Sequence, residues 1–286
     1  MLADIPGWAY DITAKSLAVH LRNRFDITIL YVSDRPVIRE QNFDLIHIYG
    51  EWTTYHQPFT LGHTKVIKAI NGQTWQKKMT AETLYKEWMF RANALIVVNE
   101  FLVEAVKNLP IPSFLFRQGV DTSLFTIGPE RKGPLVAGWA GNVIRPIKQL
   151  PIAEQACDGI CDLKIADGTL SQEEMVQFYH NIDVILTTSH LEGCPRPVVE
   201  AMSCGKFPVS FQVGIVPEVV TQQKNGFLVK EQTPEAMREA LLWCTNNLGH
   251  VRSVAENNHN LMRTTRDWSV AAERMTEIYN TVLDSQ

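Results

Sequence analysis

Glu192 and Glu200 stand at either end of Glu192-Gly-Cys-Pro-Arg-Pro-Val-Val-Glu200, inside the stretch Leu191–Gly205. Pro197 suits the first turn of a helix, where its missing N–H would go unpaired in any case. Gly205 is a natural stop at the other end. The pattern predicts a helix over Pro197–Cys204, with Glu192 in the loop ahead of it and Glu200 about one turn inside. A helix N-terminus draws anions through free N–H groups and the macrodipole, so the N–H groups of Val198 and Val199 can meet a diphosphate. Glu200 can accept from the two hydroxyls of a ribose and Glu192 from a sugar hydroxyl, because one carboxylate accepts from two hydroxyls at once. The plainer alternative is that both glutamates only complement the helix dipole.

Such a site needs a scaffold, and the chain alternates in the way a parallel sheet requires. Short apolar or β-branched runs predict strands at Leu2–Asp4, Ile27–Val32, Leu45–Tyr49, Val66–Ile70, Ala94–Val98 and Phe114–Phe116, with helical spacing over Ile12–Leu21, Ala81–Phe90 and Phe101–Lys107. The first strand is short, as if the chain starts late in a normal element. Gly, Pro and charge cluster over Thr126–Gly133, which reads as a linker between domains. A second series follows, with strands at Leu135–Trp139, Leu163–Ala166, Val184–Thr187, Phe207–Phe211 and Phe227–Val229. Its helices fall at Ser171–His180, Pro197–Cys204, Ile215–Thr221, Pro234–Thr245 and Ser269–Leu283. The fold class is α/β: two Rossmann-like domains with parallel sheets, facing across a cleft where ligands of open sheets bind.

Composition narrows the function. A length of 286 residues suits two domains. A net charge of −4 argues against a protein that coats nucleic acid, which needs a basic surface. Cys157 and Cys161 are the closest cysteines of five, and no second pair at zinc-site spacing answers them, so no metal is expected. No run of about 18 apolar residues and no signal sequence are present, which predicts a cytoplasmic location. Trp75–Arg91 mixes basic residues with large aromatics. It either lies on an anionic membrane, where it can present a lipid-linked acceptor, or packs its aromatics inward.

The run Glu192–Gly205 resembles the glutamate–seven residues–glutamate motif of group 1, family 4-like retaining glycosyltransferases of GT-B fold. Other pieces match in order: Gln118-Gly-Val-Asp121 with Phe125, Val213-Gly-Ile-Val-Pro-Glu-Val-Val220, and Asn225-Gly-Phe-Leu-Val229. The resemblance implies an acceptor domain at 1–127, a nucleotide-sugar donor domain at 128–268, and a helix at 269–286 that packs back on the first. It implies transfer of a sugar from a nucleoside-diphosphate sugar to the hydroxyl of a glycan, lipid-linked or protein acceptor. The anomeric configuration is retained, no cofactor or metal is needed, and the setting is glycan or cell-surface polysaccharide synthesis.

The same resemblance supplies further positions. The loop Gly138–Lys148 is expected to clamp the diphosphate through Lys148 and Arg145, with Gly141 and Asn142 beside them. Glu192, Lys148 and Arg145 form the catalytic set, and Glu200, Val198, Val199, Pro197 and Gly193 hold the donor. On the acceptor side, Gly7 lies in a loop that is glycine-rich in the family, and Trp8 and Tyr10 either stack on a sugar or pack. Asn71 stands where the family carries a histidine, leaving His47 and His56 as nearby alternatives. That departure supports a second reading, a non-catalytic subunit that binds nucleotide sugar and aids a partner enzyme. Oligomeric state is left open.

Overall fold

The structure is a computed structural model that describes residues 1–50 and 63–285. The chain divides into two compact units, Met1–Gly119 with Trp268–Gln286, and Val120–Asp267. Val120 belongs to the second because its N–H donates to the Arg266 carbonyl at 2.8 Å, and Thr122 bonds Asp267. Phe125 is buried in the second unit's core. The division thus falls ahead of the Gly- and Pro-rich stretch at which a linker is expected.

The first unit is a six-stranded parallel sheet. Its strands are β1 (Leu2–Ala3), β2 (Leu30–Tyr31), β3 (Leu45–Ile48), β4 (Lys65–Ile70), β5 (Ala94–Val97) and β6 (Ser113–Leu115), in the order β2-β1-β3-β4-β5-β6. Its helices include α1 (Ala9–Leu21), α2 (Ala81–Leu84) and α3 (Glu100–Val106). The strand near residue 30 is two residues long rather than the run Ile27–Val32. Side chains alternate between the faces of the sheet. Val66, Ile70, Leu95 and Val97 enter one apolar cluster with Leu102 of α3. Ile67, Ala69, Ala94 and Ile96 enter another with Leu17 and Leu21 of α1.

That second face is closed by the chain's last helix, Trp268–Leu283, through Trp268, Met275 and Ile278. Trp268 seats against Gly119, where a Cβ would stand 2.6 Å from its ring. Arg24 braces the same helix with a forked pair to Glu273 at 2.7 and 2.6 Å. His47 lies beneath it, 1% exposed, with its Nδ1 2.7 Å from the Tyr279 hydroxyl and its ring stacked on Tyr49. His47 is therefore a packing residue, and its place among the acceptor-side candidates is corrected: no ligand reaches a ring sealed under a helix. Burial holds its imidazole down to about 3, with the N-terminal ammonium adding to the effect. The unfolded chain protonates it near 6.5, so between those values the unfolded state binds more protons. Stability contributed by His47 is therefore complete above about 6.5 and is lost as pH falls toward 3. We expect the urea midpoint to drop between pH 7 and pH 5, and the drop to shrink in His47→Gln. Equal slopes in the two proteins would refute this.

The Trp75–Arg91 segment contains α2 and one π turn at Tyr85–Met89. Trp75, Leu84 and Met89 are buried while Lys77, Lys78 and Lys86 are exposed. The inward-packing alternative accounts for these residues, although Phe90 stays exposed beneath the Arg91 guanidinium. No described helix is long and apolar enough to cross a membrane.

The second unit repeats the plan. Its strands are β7 (Val136–Ala140), β8 (Asp162–Ala166), β9 (Val184–Thr187), β10 (Phe207–Phe211) and β11 (Phe227–Val229), all parallel, in the order β11-β10-β9-β7-β8. The helices between them are α4 (Leu150–Cys157), α5 (Gln172–His180), α6 (Arg196–Ser203) and α7 (Val216–Val219). After β11 come α8 (Pro234–Asn246), α9 (Leu248–Ser253) and α10 (Ala255–Thr265), so the closing helix is α11. β9 and β10 are buried along their whole length, as strands covered on both faces must be. α4, α9 and α10 are absent from the sequence-based elements. α10 reads Ala-Glu-Asn-Asn-His-Asn-Leu-Met-Arg-Thr-Thr, too polar for a helical stripe, and it is held by the buried Asn258 amide donating to the Lys206 and Asn225 carbonyls.

In this unit the chain runs from β7 to β8 on one side, then returns to place β9 on the other side of β7. The strand order reverses there, so the loops after β7 and β9 flank a crevice at the carboxyl edge of the sheet. Those loops carry Lys148 and Glu192.

Candidate functional site

Apolar strands fix where the two loops begin, and a set of hydrogen bonds ties them together. The indole N–H of Trp139, buried in β7, donates to the Thr188 hydroxyl at 3.0 Å, and that hydroxyl donates to the Lys148 carbonyl at 2.9 Å. The His190 N–H donates to the Ile147 carbonyl at 3.0 Å. Gln232 donates its amide to the His190 carbonyl and sets its own carbonyl on Nδ1, 2.6 Å away. This makes Nδ1 the protonated nitrogen and leaves Nε2 to accept from the Gln149 amide. Gln149 adopts φ 50° between the one-turn 3-10 helix Pro146–Lys148 and α4. Its left-handed backbone turns the chain directly behind Lys148.

The result is an ion pair between Lys148 Nζ and Glu192 Oε1 at 2.6 Å, with side chains 21% and 14% exposed. Glu192 is followed by Gly193, whose carbonyl accepts from the Ile215 N–H at 3.1 Å. Gly214 makes this approach possible: at φ 52°, a Cβ on it would lie 2.3 Å from the Gly193 oxygen. The loops after β7, β9 and β10 therefore meet in one place.

The helix that follows begins one residue earlier than its proline indicates, with Arg196 first and Pro197 second. Val198 and Val199 are both buried. The Val198 N–H already donates to the Pro195 carbonyl at 3.0 Å, which corrects its role as a free anion donor. Closing this first turn leaves the helix its dipole rather than that N–H to offer an anion. Glu200 is 7% exposed. It accepts from the buried Tyr179 hydroxyl at 2.8 Å on Oε2 and from Arg196 Nη2 at 3.0 Å on Oε1. Each oxygen keeps a second lone pair, so the carboxylate is oriented and still able to accept. Burial and the Glu200 carboxylate raise the Tyr179 hydroxyl well above its ordinary value, so it stays a donor.

Arg145 is exposed, with no ion pair among the described residues, and Asn142 accepts from the Ile144 N–H at 3.0 Å. Gly141 follows β7 directly, where a Cβ would meet the Trp139 ring at 3.1 Å. The structure thus brings together Lys148 and Glu192, and separately Glu200 with Arg196 and Tyr179. Arg196, Tyr179, His190 and Gln149 went unseen by sequence reasoning. Only Arg196 gave a signal, its i,i+4 spacing to Glu200.

In the first unit, the Gly7 N–H donates to Asp11 Oδ2 at 2.6 Å, with φ 82° at Gly7. Asp11 also takes Lys15 and the Tyr31 hydroxyl, each at 2.8 Å. Burial pushes its carboxyl up, but these three donors together hold it below the usual value. Trp8 is 56% exposed, whereas Tyr10 stacks on Tyr49. Asn71 accepts from the Gln118 amide at 3.4 Å. His56 lies outside the described residues.

Residues 166–266 match the family model described as glycosyl transferases group 1. This stretch is similar to the group 1 glycosyltransferases and makes up about a third of the chain. It contains Glu192 and Glu200 and stops short of Lys148. The D-inositol 3-phosphate glycosyltransferase of Xylanimonas cellulosilytica is 26% identical over 151 residues, 53% of this chain and 36% of that protein. An uncharacterized glycosyltransferase of Methanocaldococcus jannaschii is 25% identical over 117 residues, 41% of this chain and 33% of its own. The matches span about a third of the length of these two relatives. Among solved structures, Anabaena HepE in complex with UDP and glucose aligns with a TM-score of 0.74 at 13% identity, covering 98% of both chains. The likeness is one of fold, and the fold is GT-B.

Proposed function

We propose that the chain transfers a glycosyl group from a nucleoside-diphosphate sugar to an acceptor hydroxyl, with retention at the anomeric carbon. The observation that carries this reading is the convergence of Lys148 and Glu192 at the strand-order reversal, beside the helix that holds Glu200. In the free protein the pair neutralises itself. When donor arrives, Lys148 turns to the diphosphate and Glu192 is released to accept from sugar hydroxyls. Arg145 adds charge from the exposed loop, and Glu200 takes the ribose hydroxyls. The C1–oxygen bond to the diphosphate breaks with its electron pair going to the departing oxygen, a new bond to the acceptor oxygen forms, and the acceptor proton passes to the departing diphosphate. Stabilising charge on the departing diphosphate is the main task, and cations already gathered at the crevice perform it. The reading uses no metal. HepE, solved with UDP-glucose, supports a nucleotide sugar as donor. A role in glycan or surface-polysaccharide assembly on the cytoplasmic side fits the reading.

The test is calorimetric titration with a panel of nucleoside diphosphates and their sugars, followed by product analysis with candidate glycan and lipid acceptors. Glu200→Gln keeps the shape of the buried site and removes the charge. It is expected to weaken the best ligand about tenfold or more, the scale of a hydrogen bond to a charged group. Unchanged affinity in that variant removes Glu200 from the site. A wild-type protein that binds none of the panel overturns the reading altogether. Binding without turnover for any acceptor assigns the chain to the non-catalytic class.

A further inference from the structure

A second polar cluster lies at the opposite edge of the donor unit's sheet. Asp183 directly precedes β9 and Lys206 directly precedes β10, so both sit at the amino ends of strands whose carboxyl ends lead to Glu192 and Gly214. At about 3.3 Å per residue, the two edges of strands this long are roughly 15 Å apart. Asp183 is buried and accepts from the Val136 N–H at 2.9 Å, from Arg131 Nε at 3.3 Å and from Arg252 Nε at 3.0 Å. Arg252 also donates to the Gly133 carbonyl. These groups open on a cavity of about 90 Å³ that Lys206 lines as well.

The charges do not balance inside it. Three cations, Arg131, Arg252 and Lys206, face one buried carboxylate whose oxygens are already engaged. Glu130 lines the rim but is exposed, and makes no hydrogen bond among the described residues. Arg131 spends only its Nε on Asp183; its two Nη groups and the Lys206 ammonium have no partner among the described residues. The four Nη–H donors of that planar guanidinium, beside an ammonium, match the oxygens of a phosphate group. Burial pushes the Lys206 ammonium below its ordinary value, and the two arginines add to this against the pull of Asp183. An anion seated there would relieve that repulsion.

We propose that this cavity is a binding site for a small phosphate-bearing anion, separate from the donor site and held by Lys206, Arg131 and Arg252. It gives the unit a second ligand position on the far side of its sheet, where occupancy stabilises the fold by mass action.

The experiment is thermal unfolding of the full chain titrated with inorganic phosphate against sodium chloride at matched ionic strength. Phosphate is expected to raise the midpoint along a saturating curve, beyond the chloride control. Lys206→Met and Arg131→Gln should each move half-saturation about tenfold or more to higher phosphate. Lys148→Ala should leave it unchanged, which separates this cavity from the proposed diphosphate clamp. Arg131 lies on a surface loop, so Arg131→Gln reports even if Lys206→Met fails to fold. The proposal falls if phosphate acts no differently from chloride. It also falls if half-saturation in Arg131→Gln matches the wild type, or if the response disappears in Lys148→Ala and survives in Arg131→Gln. Because the readout is phosphate binding, a failed transferase assay leaves it standing.

Discussion

Lys148→Ala is expected to lower turnover about 100- to 1,000-fold, the range seen when one preorganised group at a developing negative charge is removed. The lysine side chain is largely buried, its ammonium is 2.6 Å from Glu192, and its backbone carbonyl is fixed by Thr188. Under the proposed reading, a cation tethered this way has only to exchange Glu192 for the diphosphate before charge builds on the leaving group. The loss should fall mainly on kcat, since the interaction strengthens as the leaving group separates. Arg145→Ala should cost less, because that residue is exposed and screened by solvent. The comparison is a steady-state assay of both variants with the best donor from the binding panel. If Lys148→Ala retains a third or more of wild-type turnover, the clamp is elsewhere. A larger loss in Arg145→Ala than in Lys148→Ala would transfer the role to the exposed loop.

Asp183→Ala is expected to destabilise the protein by about 3–5 kcal/mol, the usual consequence of removing one partner of a buried ion pair. Asp183 holds the start of β7 through the Val136 N–H and joins it to Arg131 and to Arg252 of α9. Its loss strands a buried backbone donor and two cations at once, with Lys206 close by. Asp183→Asn should cost less than Asp183→Ala, since the amide oxygen can still accept from Val136. Urea unfolding followed by circular dichroism measures both. A shift under about 1 kcal/mol for the alanine variant would mean that solvent already screens the cluster.

Local signals carried much of the fold. Buried parallel strands such as Val184–Thr187 and Phe207–Phe211 stand at their expected bounds, because an apolar run with turn residues at its ends is read within a short window. Ser171 with Glu174 forms a capping box at the start of α5, close to the expected start. Gly205 stops α6 at φ 77°, where residues with a Cβ are strained. The polar helix α10 escaped the same window because its fixing contacts, Asn258 to Lys206 and Asn225, lie far off in sequence.

The site divides in the same way. Short-range signals suffice for the alternating α/β plan, the helix behind Glu192, and two carboxylates set one turn and one loop from its tip. Each of these follows from backbone geometry over a few residues. It takes the packed fold to show that Lys148 meets Glu192, that His190 and Gln149 hold the turn behind the lysine, that Tyr179 and Arg196 orient Glu200, and that His47 is sealed beneath the closing helix. These partners come together because β9 returns to the far side of β7 and α11 returns to the first sheet. The order in which strands assemble is set by the burial of whole faces, a property of the packed sheet that no short stretch of chain contains.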